Sequence, residues 1–396
     1  MYMDHASGTP TSTSVQAAMM PYLSIDFYNP GGLYTKSVSI KNDIEKARGD
    51  CAKILGANTN EIIFVDGATE GNNMAIIGSV KSWQKKNPQK TAHIITSVIE
   101  HAAVLETCKY LSETGCKVSY LAVDESGYIN PKELRDTIDP NTVCVSIGYV
   151  NGEVGTVQDI KALVKSVRHF RKKQGSLYPL MHTDAVQAVN YVDLIDVKKL
   201  GIDMMTINAS KIYGPKKIGI LYLKNGTNIE PIIHGGGQEK GLRSGTENVP
   251  AIIAMQSALQ ETRSMAGTEQ DRLEILKNYF QKILEQNFNE IVINNIATNS
   301  IPNIINVSFP RISHEEIILR LDAKGIMASV KSACKAGEEG DSHVILALRK
   351  NSELPTGSLR FSLGRTSTRN DVDYVVKHLK KIIENMNTTY SQYVDK

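Results

Sequence analysis

The stretch Asp203-Met-Met-Thr-Ile-Asn-Ala-Ser-Lys-Ile-Tyr-Gly-Pro215 decides the fold. Its apolar run ends at small polar residues, which predicts a strand over Met204–Asn208, and Gly214-Pro215 closes the turn that follows. Lys211 therefore comes directly after the carboxyl end of a strand. A desolvated lysine has a lowered pKa and is suited to form a Schiff base with an aldehyde. The alternative is an exposed lysine that merely follows a strand.

Outward from this stretch, short apolar runs alternate with helical patterns between about Glu61 and Leu223. Such alternation predicts an α/β fold in which a mainly parallel sheet carries helices on both faces. Sheets of this kind bind ligands at the carboxyl ends of their strands. The seven predicted strands are Glu61–Val65, His93–Ser97, Lys117–Val123, Val143–Tyr149, Leu180–Thr183, Met204–Asn208 and Ile218–Leu223.

The sequence after Pro250 has a different pattern. A long helical stretch from Ala251 to Glu285, interrupted near residues 265–267, precedes a mixture of shorter elements. We predict strands and helices over Glu290–Ile293, Ile304–Phe309, His314–Lys324, Ser358–Leu363 and Asp371–Met386. Because 396 residues exceed the usual size of one core, we predict two domains. Residues 13–262 form the large domain, and residues 1–12 with 263–396 form a smaller α+β domain.

Composition excludes several classes of function. Hydrophobic residues make up 41% and charged residues 22% of the chain, with a net charge of +3, which is typical of a globular protein that does not bind nucleic acid directly. We see no secretory signal pattern and no apolar stretch long enough for a membrane span. Five cysteines without CxxC spacing argue against a disulfide framework and a zinc site, so we expect no metal and a cytoplasmic location. Dinucleotide and Walker glycine motifs are also missing.

Two segments that follow predicted strands suit the ring of pyridoxal phosphate (PLP). Asp184, just past the strand Leu180–Thr183, offers a carboxylate that can pair with the pyridinium nitrogen and make the ring an electron sink. Gln187 can donate to the ring hydroxyl. His101 follows another strand and can stack on the ring and move protons. The alternatives are that Asp184 caps the next helix and that His101 is structural.

A third segment, Asp66-Gly67-Ala68-Thr69-Glu70, is a strand-to-helix turn. Glycine, a hydroxyl and the backbone amides of a helix amino terminus form a phosphate site, although the same pattern also fits an ordinary helix cap.

Cys334 is the cysteine that stands out. It lies in Ser329-Val-Lys-Ser-Ala-Cys-Lys-Ala-Gly-Glu-Glu-Gly340, a small, polar stretch, where Lys331 and Lys335 favour the thiolate. The alternative is an incidental surface thiol. The other cysteines fall within apolar or helical patterns, and we assign them to packing: Cys51, Cys108, Cys116 and Cys144.

Taken together and in this order, these segments resemble the cysteine desulfurases of the NifS/IscS type, in the class V aminotransferase branch of fold-type I PLP enzymes. The similarity covers nearly the whole chain. The matching stretches are Glu61-Ile-Ile-Phe64, Gly67-Ala-Thr-Glu70, His93-Ile-Ile-Thr-Ser97, Glu100-His101, Val150-Asn-Gly-Glu-Val-Gly-Thr156, His182-Thr-Asp-Ala-Val-Gln187, Lys211-Ile-Tyr-Gly-Pro-Lys216, Gly235-Gly-Gly-Gln-Glu239, Arg243-Ser-Gly-Thr246, Ser332-Ala-Cys334 and Arg360-Phe-Ser-Leu-Gly-Arg365.

The resemblance implies a role for each matching residue. It makes Lys211 the Schiff-base lysine, Cys334 the nucleophile and His101 the proton-transferring group that stacks on the cofactor. The remaining cofactor-binding and substrate-binding residues that it implies are Asp184 at the pyridinium, Gln187 at the phenolic oxygen, Ala68, Thr69, Asn208 and Ser210 at the phosphate, Thr246 at the phosphate of a neighbouring subunit, and Arg360 with Asn151 at the substrate. The reach of Thr246 implies a homodimer.

The same resemblance implies that L-cysteine becomes L-alanine while a persulfide forms on Cys334. Sulfur then passes to acceptor proteins such as an iron–sulfur scaffold or a tRNA-thiolation enzyme. The chain departs from the family pattern at three places: Ser210 replaces a histidine, Gly152 an asparagine, and Ser7-Gly8-Thr9-Pro10 a more usual Ala-Thr-Thr-Pro. Two alternatives stay open: another class V reaction (transamination, selenocysteine lysis or β-elimination), and a noncatalytic homologue that binds a partner.

Overall fold

The computed structural model describes residues 1–193, 195–310, 312–330, 342–349 and 357–394, with side chains as far as residue 387. Cys334 lies outside the described residues, and so do Lys331 and Lys335.

The larger sheet has seven strands in the order β1-β7-β6-β5-β4-β2-β3. β7 pairs antiparallel with both β1 and β6, and every other neighbouring pair is parallel. The mainly parallel sheet that the sequence predicts is thereby confirmed. Its strands are β1 (Ile62–Val65), β2 (His93–Ser97), β3 (Lys117–Leu121), β4 (Thr142–Ser146), β5 (Leu180–Asp184), β6 (Met204–Asn208) and β7 (Gly219–Leu223).

Helices cover the two faces of this sheet, so that strands such as β2 and β4 are buried along their whole length. The helices from the amino terminus to β7 are α1 (Thr13–Met19), α2 (Pro21–Ser24), α3 (Thr35–Leu55), α4 (Ala68–Lys86), α5 (Ala102–Glu113), α6 (Pro131–Thr137), α7 (Ile160–Gln174) and α8 (Val197–Leu200). None of the helices in the described part of the chain is long and apolar enough to cross a membrane.

The second half of the chain builds a smaller antiparallel sheet, in the order β10-β9-β8. Its strands are β8 (Val292–Ile293), β9 (Ile304–Ser308) and β10 (Leu359–Ser362), and the helices of this half are α9 (Val249–Asn287), α10 (His314–Asp322), α11 (His343–Leu348) and α12 (Arg369–Val394). The amino-terminal segment joins this half, because Tyr2 pairs with Met327 and Asp4 with Ser362.

One prediction about α9 was wrong. The helix runs through residues 265–267 without an interruption. A single glycine, Gly267, costs a helix only about 1 kcal/mol, whereas Met265 and Ala266 favour it. The buried face of α9 also continues across this point through Ala266 and Glu269, so packing outweighs the local cost.

The main hydrophobic cluster is continuous from Ile207 in the large sheet to Phe361 in the small one. The core therefore gives no dividing line, and the boundaries at residues 12 and 262 stay a prediction.

Candidate active site

A cavity of about 230 Å³ lies where the carboxyl ends of β5 and β6 meet the small sheet. Most of the site residues inferred from the sequence line it: Ala68, Thr69, His101, Asn151, Asp184, Gln187, Asn208, Lys211 and Arg360. Ser210 and Thr246 do not line it, and Cys334 is outside the described residues. The edge of the sheet thus collects side chains that are far apart in sequence, as expected for a parallel sheet.

Lys211 ends a short 3₁₀ turn, Ala209–Lys211, directly after β6. Its Nζ donates to the carbonyl oxygen of Ser7 at 2.5 Å, so the amino-terminal segment lies against the lysine. Gly214 makes this turn possible, because a Cβ there would come within 2.7 Å of the Ala209 side chain. The amide of Gly214 instead donates to the Ala209 carbonyl at 2.9 Å and closes the turn.

Asp184 is the last residue of β5, which lies beside β6, the strand that Lys211 follows. Its Oδ2 accepts from Nδ2 of Asn72 at 2.6 Å, and its Oδ1 accepts from the amide of Val186 at 3.0 Å. No helix begins directly after Asp184, since α8 starts only at Val197. The structure therefore does not support the alternative that Asp184 is a helix cap.

The phosphate site predicted at the start of α4 has a suitable shape. Gly67 is the residue before the helix, with φ of +116°, and no side chain caps the first turn. The backbone amides of such a first turn have no partner within the helix and carry partial positive charge. The first turn of α4 packs closely against β6, because a Cβ on Gly71 would lie 2.8 Å from the Thr206 side chain. Asn208 lies at the end of the same strand.

Ser210 and Thr246 do not line the cavity. The amide of Ser210 donates to Oδ1 of Asn208 at 3.4 Å, so Ser210 belongs to the lysine turn although it does not line the cavity. Thr246 is exposed on the surface of the single chain.

Arg360 enters the cavity from β10 of the small sheet and is only 2% exposed. Its Nη2 donates to Oδ1 of Asp4 at 2.8 Å and to the Ser7 hydroxyl at 2.6 Å, while Nη1 donates to the carbonyl of Gly152 at 2.9 Å. Its Nε is buried without a partner among the described residues. A buried arginine with a donor still unsatisfied is well suited to receive a carboxylate.

Asn151 lines the cavity, but its side chain mainly holds its own loop. Its Nδ2 donates to the Ile99 carbonyl at 3.0 Å, and its Oδ1 accepts from the amides of Glu153 and Val154 at 2.9 and 3.0 Å. At the neighbouring Gly152, a Cβ would lie 3.5 Å from Gln187, an ordinary contact distance. A side chain at this position would therefore contact Gln187 without a clash, so glycine is not required by lack of space.

Comparison with known proteins agrees with this geometry. Residues 1–375 match the family described as aminotransferase class V. The chain belongs to the class V aminotransferase family. A protein named cysteine desulfurase IscS from Dictyoglomus turgidum is 39% identical over 388 residues, 98% of this chain and 95% of that protein.

Two solved structures are similar to this class V chain. One, described as a NifS-like protein, has a TM-score of 0.88 and 33% identity, covering 97% of this chain and 99% of its own. Another, described as SspA in complex with cysteine, has a TM-score of 0.77 and 33% identity, covering 91% of this chain and 98% of its own. The resemblance to cysteine desulfurases inferred from the sequence is confirmed.

The class V family implies PLP, and the residues of the cavity fit that group. An amine, a carboxylate at the end of the adjacent strand and an uncapped helix amino terminus are the three kinds of group that a phosphorylated pyridine aldehyde requires. They come from Lys211, Asp184 and the first turn of α4. Gln187 also lines the cavity, where its Nε2 donates to the Ala6 carbonyl at 2.9 Å.

Glu100 is a cavity residue of this class V protein to which the sequence assigned no role. It is 5% exposed, and its carboxyl accepts from the Ser97 hydroxyl at 2.5 Å and from the Gly148 amide at 2.8 Å. Burial raises the pKa of Glu100 to about 8, and the charge of Asp184 acts in the same direction. A glutamate three residues past the end of a buried strand was the available sequence signal.

His101, next to Glu100, is the residue before α5. Its Nδ1 accepts from the amide of Ala103 at 3.1 Å. Because Nδ1 is an acceptor, the neutral ring carries its proton on Nε2. Capping α5 is a structural role of His101, and the same hydrogen bond orients its imidazole ring at the cavity.

Asn72, Glu153 and His343 also belong to the site and were not assigned from the sequence. Asn72 is fully buried and contacts Asp184, whereas Glu153 and His343 line the cavity. A polar residue on the buried face of α4 was a detectable signal for Asn72. His343 had none, because only the folded chain brings α11 to this wall.

Proposed function

We propose that this protein is a PLP-dependent cysteine desulfurase that converts L-cysteine into L-alanine and leaves a persulfide on Cys334. The observation that carries the proposal is the convergence of Lys211, Asp184 and Arg360 on one cavity, beside the uncapped start of α4. When bound, PLP supplies an electron sink for the substrate Cα.

Individual residues have separate roles in this reaction. Lys211 holds the cofactor, and its amine, once released, takes the proton from the substrate Cα. Asp184 keeps the ring nitrogen protonated, and Asn72 holds that carboxylate in place. Ala68 and Thr69 offer their amides to the phosphate together with Asn208 and Ser210.

Arg360 binds the carboxylate of the amino acid through its planar donor fork. Asn151 keeps the adjacent loop in shape, as its hydrogen bonds to that loop indicate. His101 lies at the cavity wall, where its ring is proposed to transfer a proton during the reaction.

Cys334 completes the reaction as the nucleophile. Its thiolate attacks the substrate sulfur, so that a sulfur–sulfur bond forms while the bond from sulfur to Cβ breaks. The electron pair of that bond stays with the carbon skeleton, and protonation gives alanine. Ser329 pairs with Arg360, and His343 lines the cavity, so the described residues on both sides of the Cys334 segment lie at the site. Cys334 is five residues after Ser329 in the sequence, a length of chain that spans at most about 18 Å.

The homodimer belongs to the same proposal. Large apolar side chains are exposed near α2, which is typical of an interaction surface. They are Met20, Leu23, Ile25, Phe27, Leu33 and Tyr34. A second copy seated here would cover them, and the exposed Thr246 is then available to the phosphate of a neighbouring cofactor. We further propose a cytoplasmic location and delivery of sulfur to an acceptor such as an iron–sulfur scaffold or a tRNA-thiolation enzyme.

The test is a product analysis of the PLP-loaded protein with L-cysteine. The proposal expects alanine and sulfane sulfur in equal amounts, and no pyruvate or other keto acid. Lys211→Ala abolishes turnover, and Cys334→Ser retains PLP but forms no persulfide. The control Cys116→Ser removes a buried thiol outside the cavity and keeps the activity. Pyruvate with free sulfide would instead identify a β-eliminating class V enzyme.

A further inference from the structure

The turn that carries Lys211 contains a strained residue. Tyr213 has φ of +62°, a left-handed conformation that residues other than glycine rarely adopt. Such a conformation persists only where the surrounding contacts hold it. The Tyr213 side chain is 4% exposed, and its hydroxyl accepts from the amide of Arg365 at 2.8 Å. The guanidinium of Arg365 also lies 3.8 Å from the centre of the tyrosine ring, so the segment after β10 fixes that ring.

The backbone of the same turn is held by the amino-terminal segment. The hydroxyl of Thr9 accepts from the amide of Tyr213 at 2.8 Å and donates to the carbonyl of Ser210 at 3.1 Å. The Thr9 amide donates to that carbonyl at 2.9 Å, and the Ser12 amide donates to the Tyr213 carbonyl at 2.9 Å. Since Ser210 directly precedes Lys211 and Tyr213 follows it, one hydroxyl bridges the chain on either side of the lysine.

Hydrogen bonds within the turn do not replace these contacts. The carbonyl of Ala209 accepts from the amides of Ile212 and Gly214 at 3.0 and 2.9 Å. These two bonds close the turn, but they use neither the Ser210 carbonyl nor the Tyr213 amide. Backbone groups that are shielded from water need a partner, and the amino-terminal segment supplies it here.

We propose that Thr9 is a positioning residue for Lys211, because its hydroxyl fixes the turn from which the lysine amine reaches the cofactor. The inference rests on the proposed function, since it concerns the lysine that holds PLP. Thr9 does not line the cavity, whereas Lys211 does. Loss of the hydroxyl lets the strained turn relax and displaces the amine. The groups for the ring and the phosphate stay in place, because β5 and the first turn of α4 carry them.

The experiment separates capture of PLP by the lysine from binding of the phosphorylated ring. Protein freed of cofactor is mixed with saturating PLP, so that amine and aldehyde condense with loss of water. Samples are reduced with borohydride at timed intervals, and the modified Lys211 peptide is quantified by mass spectrometry. In parallel, the affinity for 4′-deoxypyridoxine 5′-phosphate is measured, because this analogue has the ring and the phosphate but no aldehyde.

Thr9→Val keeps the shape of the side chain but removes the hydroxyl. It should slow capture at least about tenfold, since small displacements of a reacting group have effects of this size or larger. Affinity for the analogue should stay within about twofold of the wild type, as expected for contacts on separate elements. Thr9→Ser retains the hydroxyl and should restore most of the capture rate. The matched control is Thr137→Val, because the Thr137 hydroxyl donates to the Glu133 carbonyl in α6 at 2.8 Å and the residue does not line the cavity.

Two results would overturn the inference: capture at the wild-type rate in Thr9→Val, or an equal loss of capture rate and analogue affinity, which indicates general damage to the site. If Thr9→Val does not fold, Thr9→Ala is measured in its place with the same expected result. A wild-type protein that binds the analogue but never links PLP to Lys211 would refute the proposed function, and this inference with it.

Discussion

At the scale of single residues, the carboxyl of Glu100 is the most perturbed acid at the cavity. Burial favours its protonated form, because the charged carboxylate loses its hydration there, and repulsion from Asp184 acts in the same direction. Asp184 accepts two hydrogen bonds, from Asn72 and Val186. We therefore expect the carboxyl group of Glu100 to be mostly neutral at neutral pH.

The raised pKa of Glu100 predicts that the stability of the fold depends on pH. The pKa of Glu100 in the folded protein, about 8, lies above its ordinary value of 4.5, so the folded state binds the proton more tightly than the unfolded state. The free energy of unfolding should then fall as the pH rises from about 4.5 to about 8, by an amount on the order of a few kcal/mol.

Glu100→Gln should remove this loss of stability at higher pH. The Ser97 hydroxyl can turn to accept a hydrogen bond from the new side-chain amide, while the Gly148 amide still donates to its oxygen. The measurement is the urea unfolding midpoint of both proteins between about pH 5 and about pH 8. Glu61→Gln serves as the control, since Glu61 is buried directly before β1 and does not line the cavity. Parallel pH profiles for the wild type and Glu100→Gln would disprove the assignment.

The sequence identified Lys211 and Asp184 as cavity residues because each directly follows a strand of a parallel sheet. It did not reveal the partners of Arg360, since Asp4 and Ser7 are more than three hundred residues away in the chain. Such contacts depend on how the amino-terminal segment crosses the fold, which no local pattern records.

At the scale of elements, the strand-to-helix turn before α4 determines how a phosphate is held. Gly67 adopts φ of +116° with open space around its missing Cβ, so a side chain there meets backbone strain rather than a clash. Residues other than glycine rarely adopt this conformation.

Gly67→Ala should therefore weaken PLP retention, because relief of the strain turns the first amides of α4 away from the phosphate. A strain of about 1 to 3 kcal/mol corresponds to a loss of affinity of roughly five- to a hundredfold. The affinity for PLP is measured by dialysis against free PLP with absorbance detection. Gly226→Ala is the matched control, with φ of +86° and equally open space in a turn after β7. Equal PLP affinity in the two variants would contradict the role of the turn.

The strands of the large sheet were predictable because each is a short apolar run bounded by turn residues. The continuity of α9 was not, since it results from packing along 39 residues and overrides the local signal of Gly267. The small sheet was predictable in its strands but not in its order, which depends on contacts between distant segments.

At the scale of the whole molecule, the two sheets share one cavity, to which the amino-terminal segment adds Ala6 and Ser7. The apolar side chains near α2 are the surface that a second copy would cover in the proposed dimer. Leu33 is 99% exposed and Ile25 69%, which is unfavourable in water unless another surface covers them.

We predict a dimer by sedimentation velocity, and a shift toward monomer in the double variant Phe27→Asp, Leu33→Asp. If Thr246 of one copy serves the phosphate of the other, the monomer should also lose PLP more readily. Leu177→Asp is the control, because Leu177 is 73% exposed at a separate position. A wild-type monomer with full PLP retention would refute the homodimer.

The proposed reaction passes sulfur to Cys334 from an amino acid that Arg360 binds beside the PLP held by Lys211 and Asp184. The most direct measurement is peptide mass spectrometry of the PLP-loaded protein after brief exposure to L-cysteine. We expect an added sulfur atom on the peptide with Cys334, and none on those with the buried Cys51, Cys108, Cys116 and Cys144. Turnover of cysteine to alanine with an unmodified Cys334 peptide would contradict it.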